Sequence, residues 1–179
     1  ETYRVNLLYG ENFHLKDEIL EKLIKIYKKS NYKTTFLEQD DLLKNIEILD
    51  NYINQDNLFG DKEILIIKDA TDKLLDYLNI DNFDKQIIII SGNLPKNNKL
   101  RNFAEKSKIV SCIACYDDDD KTLKNLLRQG INLLGLKINN ETIDQLFNLN
   151  KLNRNDVNSA LEKLEPVSYT HLRAHETRT

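Results

Sequence analysis

The 179-residue sequence has no Met, only two Cys and three His, and no apolar run near the roughly 18 residues that a membrane-spanning helix needs. Lacking such a run, and with no signal-peptide pattern at its start, the chain is expected to be cytoplasmic and to have no membrane partner. With Glu1 first and no Met anywhere, it is expected to be an internal fragment of a longer product. The two cysteines form one CxxC, Cys112 and Cys115, in "VSCIACY". A single pair without a nearby His is at most half a zinc site. A redox pair normally opens a helix, where the dipole lowers the thiol pKa. This pair falls in an expected strand, so both residues are read as small buried hydrophobes and no metal is expected. His14 is the only His outside the last stretch of chain, which leaves no Ser-His-Asp or Cys-His set and no catalytic residue of the chain's own. Charge of one sign is also missing. The net charge is −3, so the chain as a whole is no strong polyanion binder. Lys16, Lys22, Lys25, Lys28, Lys29 and Lys33 crowd the first helix and read as a solvated face, with a nucleic-acid patch as the other reading.

What is present is regular. Hydrophobic residues at 40% and charged residues at 31% suit a globular protein of one domain, or one and a small second. Tyr3 to Tyr9 reads as a strand ending at Gly10, and Phe13 to Lys29 as a helix with Leu15, Ile19, Leu20, Leu23, Ile24 and Tyr27 on one face. Tyr32 to Leu37 is a weaker strand. Asp40 and Asp41 are expected to cap one helix carrying Leu42, Leu43, Ile46, Leu49 and Ile53. Ile64 to Ile67, Gln86 to Gly92 and Lys108 to Cys115 are further strands, separated by short helices around Leu74 and Leu100. "QIIIISG" is apolar on both faces, as a central parallel strand should be. Alternating strands and helices imply a parallel α/β domain over residues 1–116. The pattern stops at Tyr116. "DDDD" then opens the first of three helices, and four acids there suit the helix dipole without a metal. Residues 117–165 therefore form a small all-helical domain. The stretch 166–179, "PVSYTHLRAHETRT", departs from the Ile, Asn and Lys bias before it, resembles translated adaptor sequence, and is set aside as a non-native tail.

A strand, Gly10, then a helix with a Lys is where a phosphate loop would stand. The required pattern is G-x-x-x-x-G-K-[ST]. Lys16 has the right spacing. Leu15 replaces the second Gly, Asp17 replaces the hydroxyl that would hold Mg²⁺, and Glu11 adds negative charge where phosphates would come. An ATPase also needs an apolar strand ending in acids, and "IIIISG" ends in Ser91-Gly92. The loop is read as degenerate at Gly10, Leu15, Lys16 and Asp17, and no cofactor is expected. A receiver-type phosphoacceptor would need a Lys near the end of the fifth strand. That strand runs instead into Cys115-Tyr116-Asp117. One feature is left over: the apolar pair Leu58-Phe59 between Asp56-Asn57 and Gly60-Asp61, before the third strand. The pair either tucks under the sheet or points at a partner.

Several stretches together resemble one family, the delta subunit of the bacterial DNA polymerase III clamp loader. They are "VNLLYGENFHLKDE", "NLFGDKEILIIKDA", "QIIIISGNLPKNNKLRN" and "LLGLKINNETIDQLFNLNKLNRNDVNSALEKLE", spanning about residues 3–165. The resemblance implies an AAA+-like α/β domain without a working nucleotide site, then a helical lid domain. The family's third, collar domain has no counterpart here. The resemblance also implies a role. Delta subunits have no catalytic site of their own but belong to the DNA polymerase holoenzyme. They bind the ring-shaped sliding clamp (the beta subunit) and help open it. The gamma/tau and delta prime subunits complete the loader, and the assembled complex acts on primed DNA. The family's clamp-contacting apolar pair falls on Leu58 and Phe59. The alternative is a nucleotide-binding ATPase or switch protein with an atypical phosphate loop.

Overall fold

In β4 (Gln86–Ser91) four consecutive isoleucines alternate between the faces of the sheet: Ile87 and Ile89 enter one core, Ile88 another. A strand apolar on both sides belongs inside a parallel sheet, and β4 lies there. The computed structural model describes residues 3–54, 62–78 and 85–176. Its five strands are β1 (Val5–Tyr9), β2 (Tyr32–Glu38), β3 (Lys62–Ala70), β4 and β5 (Val110–Ala114), in the order β2-β3-β4-β1-β5. All pairings are parallel, with Val5 opposite Ile87 and Val110, and Leu65 opposite Thr35 and Ile87.

Helix α1 (Phe13–Lys29) packs on one face, laying Leu20, Leu23 and Ile24 over Leu8, Ile64, Ile66 and Ile88. The other face is covered by α2 (Gln39–Lys44), α3 (Glu47–Asn54), a 3₁₀ turn (Asp72–Asp76) and α4 (Lys99–Lys106). These bring Leu42, Leu49, Tyr52, Leu74, Leu100 and Ala104 onto Val5, Leu7, Leu65, Ile67, Ile87 and Ile89. The single helix expected after Asp40 is two. Asn45 leaves the helical region at φ −138°, ψ 78°, while its N–H still reaches the Asp41 and Leu42 carbonyls. Asn competes with its own backbone for hydrogen bonds and tolerates such breaks. Asp40 and Asp41 sit in the first turn, and Glu38 holds the cap position without a side-chain bond.

The chain divides into two compact units, Glu1–Tyr116 and Asp117–Thr179. The second holds α5 (Asp120–Leu133), α6 (Asn140–Leu149) and α7 (Arg154–Glu176). Its core is Leu123, Leu127, Ile131, Ile143, Phe147 and Val157. Helix α5 is closed off by a glycine: Gly135 takes φ 71°, and Leu136 N–H donates to the Ile131 carbonyl at 3.1 Å. Helix α7 continues past Pro166.

The acidic run divides its work. Asp118 accepts two 2.8 Å bonds from Arg154 in a nearly buried pair, and Asp119 caps α5 by accepting from Thr122 N–H at 2.7 Å. The Thr122 hydroxyl and amide hold the Asp119 carboxyl below its ordinary value of 3.8. A depressed carboxylate contributes stability above its unfolded value and loses it as pH falls through the folded one. Asn caps as well as Asp but does not titrate. Asp119→Asn is therefore expected to flatten the acid loss of stability of the helical unit below about pH 4. Unfolding midpoints measured against pH check this, and an unchanged slope would contradict it.

Candidate functional site

The carboxyl ends of β1 and β4 are neighbours, and their connections leave toward opposite faces, β1 into α1 and β4 toward α4. Open α/β sheets bind ligands at such a switch point. Here the crevice is filled by the chain itself.

Gly10 turns the chain at φ 128°, so close to Cys115 that a Cβ would lie 2.1 Å from the Cys115 carbonyl oxygen. Gly10 N–H donates to the Gly92 carbonyl at 2.9 Å, tying the two strand exits together. Asn12 N–H donates to the Cys115 carbonyl at 3.0 Å, and its side-chain amide to the Tyr116 carbonyl at 3.1 Å. The Asn12 side-chain oxygen caps α1 by accepting from Leu15 N–H at 3.0 Å. Phe13 N–H donates to the Glu11 carbonyl and Lys16 N–H to the Asn12 carbonyl. The amides of Gly10, Asn12, Phe13, Leu15 and Lys16 all have acceptors within the chain, whereas a phosphate nest needs such amides turned toward its ligand.

Lys16 completes the closure. It is 3% exposed, and its Nζ donates to the Gly10 and Ser91 carbonyls, each at 2.8 Å. The Phe13 ring centroid lies 4.4 Å from the same nitrogen. Burial pushes the Lys16 pKa down, against the opposing fields of Cys115, Asp17 and Asp69. Ser91 is fixed in turn by its hydroxyl, which donates to the Ala70 carbonyl at 2.6 Å. Asp17 and Glu11 are exposed, and Asn93 donates to Glu11 at 3.1 Å.

The four loop residues singled out from sequence, Gly10, Leu15, Lys16 and Asp17, lie between the end of β1 and the first turns of α1, but the inward turn of Lys16 and the part played by Asn12 were not anticipated. Both depend on partners distant in sequence, which local spacing does not reveal. Asn between Gly10 and an apolar helix start was the available signal for the cap. Asp69 is the penultimate residue of β3 and takes a left-handed conformation, φ 52°, within the stretch where the β3–β4 register shifts. Cys115 is fully buried and Cys112 half-buried, where burial pushes its thiol pKa up. Among the described residues no group of three or more His, Cys, Asp or Glu is placed to hold a metal, and no helix is long and apolar enough to cross a membrane. On α1, Lys22 pairs with Glu18 and Lys25 with Glu21, which weakens the case for a basic patch there. Leu58 and Phe59 lie outside the described residues, in sequence between the end of α3 at Asn54 and the start of β3 at Lys62.

Five parallel strands in this order, with a closed phosphate-type loop after β1 and a helical unit next in sequence, define an AAA+-like fold. Solved structures of that class share the fold. Over 93% of this chain and 54% of the other, the Bacillus subtilis DNA clamp loader delta protein superposes with a TM-score of 0.65 at 13% identity. The replication initiator DnaA, in a complex with AMPPCP and single-stranded DNA, covers 99% of this chain with 60% of its own length, at a TM-score of 0.58 and 19% identity. No family model matches the sequence. In sequence, the chain is similar to a protein described as a probable DNA polymerase III subunit delta, from Rickettsia prowazekii (strain Madrid E), with 26% identity over 146 residues. The match takes in 80% of this chain and 44% of that relative, so the chain spans less than half of the relative's length.

Proposed function

We propose that the chain is part of a clamp-loader delta subunit: a non-catalytic element of the DNA polymerase III holoenzyme that binds the sliding clamp and helps to open it. The observation that carries this reading is the sequence relationship to a DNA polymerase III delta subunit, together with the fold shared with a clamp loader delta protein. In this role the α/β unit is a scaffold, and Leu58 and Phe59 are the wedge that enters an apolar pocket on the clamp. Asp56, Asn57, Gly60 and Asp61 form the polar rim around it. Gamma/tau and delta prime subunits supply the rest of the loader, and primed DNA is met through the assembled complex. The wedge opens the ring only by binding the sprung form better than the closed one.

The self-filled crevice speaks against the alternative, a nucleotide-driven ATPase or switch. Calorimetry with ATP and Mg²⁺ is expected to give no binding heat, whereas a switch protein would show saturable heat. The clamp role is tested by immobilising the chain and offering a purified bacterial sliding clamp. Retention is expected; a clamp that passes through unretained would refute the proposal.

A further inference from the structure

Lysine is rarely buried this deeply unless it is paired, and the function proposed above assigns Lys16 no role. Its ammonium faces two main-chain carbonyls, Gly10 at the exit of β1 and Ser91 at the exit of β4, 6 and 75 residues away in sequence. The last paired residues of the β1–β4 ladder are Leu8 and Ile90, so these contacts extend the joint between the two strands beyond that ladder. The adjacent bond from Gly10 N–H to the Gly92 carbonyl belongs to the same joint. A phosphate-binding loop presents N–H donors to an anion. Here the inward groups are carbonyl acceptors, and the charge among them is positive. The polarity of the site is thus reversed.

We propose that Lys16 is a built-in tie across the switch-point crevice, holding the exits of β1 and β4 together with no ligand, as a bound anion would at an open site of this kind. Placing glycine at Leu15 and a hydroxyl at Asp17 would not reopen the site, because Lys16 would still donate to the carbonyls of Gly10 and Ser91. The groups that face Lys16 are Phe13, Asp17, Asp69 and Cys115, besides the two carbonyls. The carboxylates of Asp17 and Asp69 help to keep the ammonium charged against its burial.

The test uses the full chain and site-resolved amide exchange. In Lys16→Met, which keeps the stem and removes the donors, exchange at the Gly10 amide is expected to accelerate about tenfold or more, while the β2–β3 ladder is unchanged. In the unaltered chain, millimolar ATP and Mg²⁺ should leave Gly10 exchange as it was. Equal exchange in Lys16→Met, or slowing by ATP and Mg²⁺, overturns the proposal. A second readout needs no folded Met variant. The Lys16 ammonium should give a persistent proton–nitrogen signal near neutral pH that disappears in Lys16→Arg, and a chain with no protected ammonium signal overturns the proposal equally.

Discussion

Leu58→Ala combined with Phe59→Ala is expected to weaken binding to a bacterial sliding clamp by about two to four orders of magnitude and to leave the fold intact. Burying a Leu and a Phe contributes roughly 1.5–3 kcal/mol each, so about 3–6 kcal/mol together before association costs. At about 1.4 kcal/mol per tenfold, that is the stated loss. A central apolar anchor with a polar rim is the usual form of an interface hot spot. The other reading, that the pair packs under the sheet, predicts a different pattern: truncating both side chains would leave a cavity and lower the unfolding midpoint by an amount typical of core deletions. Circular dichroism and a denaturant titration on the same samples separate the two. A destabilised variant, or one that binds as before, would refute the wedge.

Gly10→Ala should damage the α/β unit more than any change to the exposed residues of the same loop. The backbone there holds φ 128°, and the added Cβ would lie 2.1 Å from the Cys115 carbonyl oxygen and 2.6 Å from its carbon. Holding a side-chain-bearing residue in that conformation costs about 1–3 kcal/mol. Forcing apart well-packed atoms costs roughly 1–3 kcal/mol more. The obstacle is main chain, with no rotamer to turn away, so the contributions add to about 2–6 kcal/mol, a large share of a typical domain's stability. Gly92→Ala is the control, since nothing lies within 4 Å of its Cβ position. It should stay within about 0.5 kcal/mol of the parent. Urea midpoints of the two variants measure the contrast, and equal midpoints would mean that β1 and β5 do not close on each other at Gly10 as described.

Much of the architecture could be read from local pattern. Helix α1 was expected over the span it occupies, because its apolar stripe leaves little choice. The run Ile87 to Ile90 announced a strand covered on both sides, and β4 lies between β3 and β1. The break at Asn45 was missed because Leu42, Leu49 and Ile53 keep helical spacing across it, and a stripe does not show where the backbone turns aside. Arg154 was missed as the partner of Asp118 for a different reason: the two are 36 residues apart, and only the packing of the helical unit brings them together. Lys16 was the most instructive case. Its spacing from Gly10 invited a phosphate, and the substitutions at Leu15 and Asp17 argued against one. Neither showed that the lysine itself would fill the crevice. The role of Leu58 and Phe59 rests on sequence resemblance, since both lie outside the described residues.

The most direct test of the whole account is a titration of the chain against a purified bacterial sliding clamp, with and without ATP and Mg²⁺. A non-catalytic subunit with a self-filled crevice should bind saturably, with the same dissociation constant in both conditions. No binding in either condition, or binding that appears only with nucleotide, would contradict it.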